Sequence, residues 1–169
     1  MVDFIIVDLY GTIVKPDSSL PVRDGFDEFV QYYRQQGAKI VISTDGPEET
    51  VIRTLYEFDL WDKVDEVYDE RDLKRAENGD FFTGGSYIVK DLEKPCRKFS
   101  VDPSRAVFIG DNFYGRDQNA ADHYGIRFIK ILQYRDEIPT WHERDSTEDY
   151  VDFDDPKNPF SFRSLIGEL

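Results

Sequence analysis

Phe4-Ile5-Ile6-Val7-Asp8-Leu9-Tyr10-Gly11-Thr12-Ile13-Val14 is the stretch that decides the fold. Four apolar residues run straight into an aspartate. A run with no polar alternation suits a strand buried on both faces, as in a parallel sheet. Asp8 then stands at the carboxyl end of that strand, where open α/β sheets hold their ligands. A carboxylate is costly to bury without partners, so Asp8 needs a reason to be there. Gly11 lets the backbone turn sharply after it. The bland alternative is a strand that ends in an ordinary turn aspartate.

Outward from this stretch the pattern alternates. Breakers at Pro16 and Pro21 mark a loop over Lys15 to Val22. Phe26, Phe29, Val30 and Tyr33 then fall at i, i+3, i+4 and i+7, which predicts a helix over Asp24 to Gln36. Asp24 is its expected cap and Gly37 its left-handed stop. Lys39 to Thr44 reads as a second buried strand that ends in hydroxyls. A helix follows, with Pro47 at its first position and Val51, Ile52, Leu55 and Phe58 inward. Val64 to Tyr68 is a candidate third strand, and Asp69 to Ser86 a loop or small hairpin. Tyr87-Ile88-Val89 is a short apolar run that ends in Lys90. A helical stripe of Leu92, Cys96 and Phe99 comes next, with Pro95 tolerable only near its start. Ala106 to Ile109 reads as a buried strand that ends in Gly110-Asp111. A short helix with Ala120, Ala121 and Tyr124 closes at Gly125, and Arg127 to Ile131 is the next strand. The tail predicts a short strand at Tyr150 to Phe153 and a helix from Phe160 to Leu169. Strands alternating with helices predict an α/β fold: a doubly wound, Rossmann-like parallel sheet with helices on both faces.

The 169 residues are expected to form one domain, 1–169, and thirteen Phe and ten Tyr can fill its core. The charge balance, 21 − 35 = −14, repels nucleic acid and anionic membranes. Cys96 is the single cysteine, so no internal disulfide is possible and a reducing compartment is expected. No apolar run approaches membrane length and no signal-type segment opens the chain, which predicts a cytoplasmic protein.

Three strands end in polar groups: Asp8, Thr44 and Asp111. In a parallel sheet those ends share one edge, so residues far apart in sequence can converge. The set resembles the four ordered motifs of the haloacid dehalogenase-like hydrolase superfamily. The first is an apolar strand and Asp-x-Asp-Gly-Thr, here Asp8-Leu9-Tyr10-Gly11-Thr12. The second is a strand ending in Ser or Thr, here Ile40 to Thr44. The third is a lysine near a helix start. Lys90 and Lys94 compete for it, and the distance back from Asp111 favours Lys90. The fourth is Gly110-Asp111 with a second acid, Asp117. With Ala120-Ala121 and Gly125, which fit the family's usual continuation, the motifs span Phe4 to Gly125, about three quarters of the chain.

The resemblance implies an aspartyl nucleophile, Asp8, and a Mg²⁺ cofactor. A carboxylate that attacks phosphorus splits one hard step into two. Two anions repel, so a hard cation belongs between them, held by Asp8, the backbone carbonyl of Tyr10 and Asp111. Thr44 and Lys90 would hold the phosphoryl oxygens. Asp117 would anchor Lys90 or a metal-bound water, or serve as a helix cap. Thr44 has the same capping alternative. Arg116 reads as a surface charge, Asn112 as a metal neighbour or turn former, and His123 and His142 as structural.

Two departures qualify the resemblance. Tyr10 stands where most family phosphatases carry the second Asp, the general acid and base. A phenol with a pKa near 10 is a poor base at neutrality. The superfamily's 2-haloacid dehalogenases also carry Asp-x-Tyr-Gly-Thr. The second departure is the absence of room for a sizeable cap domain, which disfavours dehalogenation in a closed apolar pocket. An open site suits a bulky or macromolecular phosphoester, or closure by a second subunit in a homo-oligomer. Phe81 and Phe82 make the stretch around them the local lid candidate. The expected activity is phosphomonoester hydrolysis, with a dehalogenase or a non-catalytic binding module as rivals.

Overall fold

The computed structural model describes residues 2–75, 88–136, 153–155 and 157–169. The opening stretch forms β1 (Phe4–Val7), completely buried on both faces. Ile5 and Val7 pack into one apolar layer, while Phe4 and Ile6 pack into the other. This explains the missing alternation: both pleat directions meet protein.

β2 (Lys39–Ser43) and β6 (Ala106–Gly110) flank β1 in parallel, and β3 (Glu66–Tyr68) and β7 (Arg127–Lys130) complete a five-stranded sheet of order β3-β2-β1-β6-β7. β4 (Leu73–Arg75) and β5 (Ile88–Lys90) pair antiparallel outside it, with Leu73 opposite Lys90. Helix α1 (Phe26–Gln35) and α2 (Glu48–Glu57) fill the layer on Ile5 and Val7; α3 (Glu93–Lys98) and α4 (Arg116–Tyr124) fill the layer on Phe4 and Ile6. The sheet is therefore doubly wound, and among the described residues no sizeable cap is inserted. The chain leaves β1 toward one face and leaves the adjacent β6 toward the other. Such a switch point opens a crevice beyond the strand ends, the usual ligand position in these sheets.

Several local expectations need correction. The cap of α1 is Gly25, in the left-handed region at φ 78°, rather than Asp24. The Asp24 carboxylate instead accepts from the Ser161 hydroxyl at 2.6 Å and pairs with Arg163. Pro47 sits one residue before α2 instead of inside it. Ile52 is exposed, because the buried stripe of α2 runs through Val51, Thr54 and Leu55. A one-turn 3₁₀ helix, Phe162–Leu165, replaces the helix expected to Leu169. Tyr33 explains the early stop: its hydroxyl donates to the Leu165 carbonyl and accepts from the amides of Gly167 and Leu169. Those amides are thereby withdrawn from any helical ladder. The stretch around Phe81 and Phe82, His142 and most of the expected strand at Tyr150 to Phe153 lie outside the described residues.

Candidate active site

Asp8 follows β1 directly and Asp111 follows β6 directly. The amide of Asp8 bonds to the Ile109 carbonyl at 2.9 Å, so the two strand ends are level. Thr12, at the end of the tight turn after Asp8, links them. Its hydroxyl donates to Asp8 Oδ2 at 3.0 Å and accepts from the Asp111 amide at 3.1 Å. Two glycines permit the close approach. A Cβ on Gly11 would lie 2.2 Å from Asp111 Oδ2, and one on Gly110 would lie 2.3 Å from Asp117 Oδ2. A side chain at either position would push the facing carboxylate out of place.

Lys90 ends β5 and is almost fully buried. Its ammonium donates to Asp8 Oδ1 at 2.6 Å and to Asp117 Oδ1 at 2.7 Å. Lys94 points elsewhere and pairs with Asp72. Asp117 is the second residue of α4, and Gly115 caps that helix. Besides Lys90, Asp117 accepts from the Asn112 amide at 3.0 Å. Asn112 adopts a left-handed conformation, and its side-chain oxygen accepts from the Gln118 amide at 2.9 Å, so it shapes the turn into α4.

Asp8, Asp111 and Asp117 bring carboxylate oxygens within 4.8 Å of one another, all buried. Burial pushes the Asp8 carboxyl well above its ordinary range; Lys90 opposes the rise, while Asp117 and Asp111 add to it. Burial, then the neighbouring Asp117, pushes Asp111 up to about 6. Burial alone would lower Lys90, but the carboxylates of Asp117 and Asp8 outweigh it and hold the ammonium charged. One lysine thus faces three crowded acids. The unbalanced negative charge and the set of hard oxygens fit a small divalent cation.

The site opens into a cleft of about 350 Å³ lined by Asp8, Tyr10, Asp45, Lys90, Asp111 and Arg116, among others. Thr44 is buried behind it, and its hydroxyl oxygen accepts from the Gly46 amide at 3.2 Å. Arg116 is exposed, as a surface charge would be, but it is paired. It crosses to Asp45 at 2.6 Å, joining the loop after β2 to the start of α4. Tyr10 turns toward α2, where its hydroxyl lies 3.1 Å from Thr54 Oγ1. Thr54 already donates its own proton to the Thr50 carbonyl at 2.9 Å, so the phenol must be the donor to Thr54. Its proton is therefore engaged on the helix side. His123 is exposed and stacks edge-on against Tyr124.

Gln133 was not legible from the sequence. It is buried, and its side-chain NH₂ donates to Asp111 Oδ2 at 2.6 Å. No motif surrounds it. Thr12 sat within the quoted motif, but only its hydroxyl contacts reveal the link between Asp8 and Asp111. Asp45, the residue after Thr44, carried no signal beyond its place in a turn.

A family model described as haloacid dehalogenase-like hydrolase matches residues 6–116, well over half of the chain. The chain belongs to this family. No curated protein matches it. Among solved structures, this haloacid dehalogenase-like chain resembles a phosphoglycolate phosphatase from Haemophilus somnus, itself assigned by prediction. Identity there is 17% and the TM-score 0.57, over 91% of this chain and 94% of that one. A hydrolase of the same superfamily from Geobacter sulfurreducens, of subfamily IA, gives 14% identity and a TM-score of 0.57, covering 77% and 89%. A candidate phosphatase from Clostridium difficile gives 13% and 0.60, covering 89% and 93%. At these identities the likeness concerns the fold. Hydrolases of this family generally use Mg²⁺, and the acid cluster here suits it.

Proposed function

We propose that this chain is a Mg²⁺-dependent phosphomonoester hydrolase that acts through Asp8. The observation that carries this reading is the Lys90 ammonium held between Asp8 and Asp117 at 2.6 and 2.7 Å, beside Asp111, at the sheet's switch point. The family membership and the phosphatases among its structural neighbours support the same chemistry.

Thr12 and Lys90 fix the two oxygens of Asp8, so the carboxylate is aimed before substrate arrives. Asp8 attacks phosphorus, the ester oxygen leaves, and an aspartyl-phosphate forms. Water then splits that bond, releasing inorganic phosphate and restoring the carboxylate. Lys90 faces the phosphoryl oxygens as charge builds on them. Bound Mg²⁺, held by Asp8, Asp111 and the carbonyl of Tyr10, would screen the repulsion between nucleophile and substrate. With the Tyr10 proton committed to Thr54, the leaving oxygen draws its proton from water. This favours esters whose leaving group needs little help. The open cleft suits a bulky phosphorylated substrate.

A screen of phosphomonoesters with Mg²⁺ and with EDTA tests the reading, run beside chloride release from a 2-haloacid. The expected result is phosphate release that needs Mg²⁺ and vanishes in Asp8→Asn. Chloride release without phosphatase activity would transfer the assignment to a dehalogenase. Neither activity, in a folded protein, would favour a binding module.

A further inference from the structure

Asp111 is gripped on both oxygens. Oδ1 accepts from the Phe113 amide at 3.0 Å, and Oδ2 accepts from Gln133 at 2.6 Å while lying against the Cα of Gly11. Gln133 is itself fixed at three points. Its side-chain oxygen accepts from Arg135 Nε, its backbone carbonyl accepts from the Asp154 amide at 3.0 Å, and its neighbour Tyr134 donates to the Gly11 carbonyl at 2.7 Å. The amide therefore cannot rotate away without breaking the Arg135 contact.

We propose that Gln133 is a positioning residue that makes Asp111 a single-oxygen metal ligand and so tunes the site toward a small octahedral cation. The inference rests on the metal reading given above. Oδ2, held by the Gln133 amide and crowded by Gly11, is closed to a cation; Oδ1 takes a single amide and keeps a second lone pair for one. Two-oxygen chelation would have to displace the Gln133 amide. Mg²⁺ is satisfied by one oxygen per carboxylate in a tight octahedron, whereas Ca²⁺ takes more ligands and accepts two-oxygen carboxylates. Partners that orient a metal ligand typically change metal affinity by about 10- to 100-fold when removed.

The test is calorimetric titration of Mg²⁺ and of Ca²⁺ into the substrate-free protein, compared with Gln133→Met and Arg135→Ala. Thermal melts in EDTA verify folding. The expected result for Gln133→Met is about tenfold weaker Mg²⁺ binding or more, with Ca²⁺ affected less, so the preference for Mg²⁺ over Ca²⁺ falls. Arg135→Ala, at a half-buried position, should move the same ratio in the same direction by a smaller factor. A merely structural role would lower the melting temperature without moving the ratio. An unchanged ratio in folded Gln133→Met overturns the inference; if that variant does not fold, an unchanged ratio in Arg135→Ala does so. A wild-type protein that takes up neither ion defeats the metal reading itself, a separate and recognisable outcome.

Discussion

Tyr10 is the residue on which the chemistry turns. Its ring lies against Gly46, where a Cβ would come within 2.6 Å of Tyr10 Cε2, and its hydroxyl donates to buried Thr54. The side chain is thus a packing element with its proton spoken for, in the place where family phosphatases keep an acid. General acid–base catalysis is worth roughly 10²- to 10⁴-fold. Tyr10→Asp is therefore expected to raise Mg²⁺-dependent phosphatase turnover at least about tenfold. Losing the Thr54 contact should cost about 1 kcal/mol, which a thermal melt reads directly. A folded Tyr10→Asp protein with no gain on any phosphoester would mean that the missing acid does not limit the rate.

At the scale of elements, the site is made by two strand ends, the end of the antiparallel β4–β5 pair and the start of α4. β1 and β6 deliver Asp8 and Asp111 because they are neighbours in register, with Val7 opposite Ile109. The β4–β5 pair delivers Lys90 from outside the main sheet. This convergence has a pH signature. Asp111 is raised to about 6, mainly by burial, from an unfolded value of about 4. The folded protein then binds the proton more tightly than the unfolded chain does. The resulting stability is fully present below about pH 4 and is lost as pH rises through about 6. Metal-free protein should accordingly lose melting temperature between pH 5 and pH 7.5. Mg²⁺ competes with the proton, so the rise in melting temperature on adding Mg²⁺ should be larger at pH 7.5 than at pH 5. An equal or larger rise at pH 5 would contradict this account of the acid cluster.

Across the whole molecule, Arg23 and Asp154 join segments 131 positions apart. The guanidinium donates to Asp154 Oδ2 at 2.7 Å, to the Leu132 carbonyl at 2.7 Å and to the Thr12 carbonyl at 3.2 Å, between the rings of Tyr134 and Phe160. Both side chains are 1% exposed, so removing either partner leaves a buried, unpaired charge. Arg23→Met and Asp154→Leu should each cost roughly 3–5 kcal/mol in denaturant unfolding. The double variant should cost clearly less than their sum; strict additivity would mean that the two groups do not depend on each other. By itself, the sequence determined the α/β class, the buried central strands and the α1 stripe. It also placed Asp8 and Asp111 at the ends of buried strands. These readings survive because contiguous apolar runs and 3.6-residue periodicity are local properties of a chain. The α1 N-cap and the last helix were misread where a distant partner won: Arg163 for Asp24, and Tyr33 for the final amides. Tertiary structure alone decided that Lys90 rather than Lys94 reaches Asp8, and that Tyr10 faces Thr54. It alone set Gln133 against Asp111 and joined Arg23 to Asp154. A buried polar group is defined by whichever partner satisfies it, and that partner lies wherever the sheet order brings the chain.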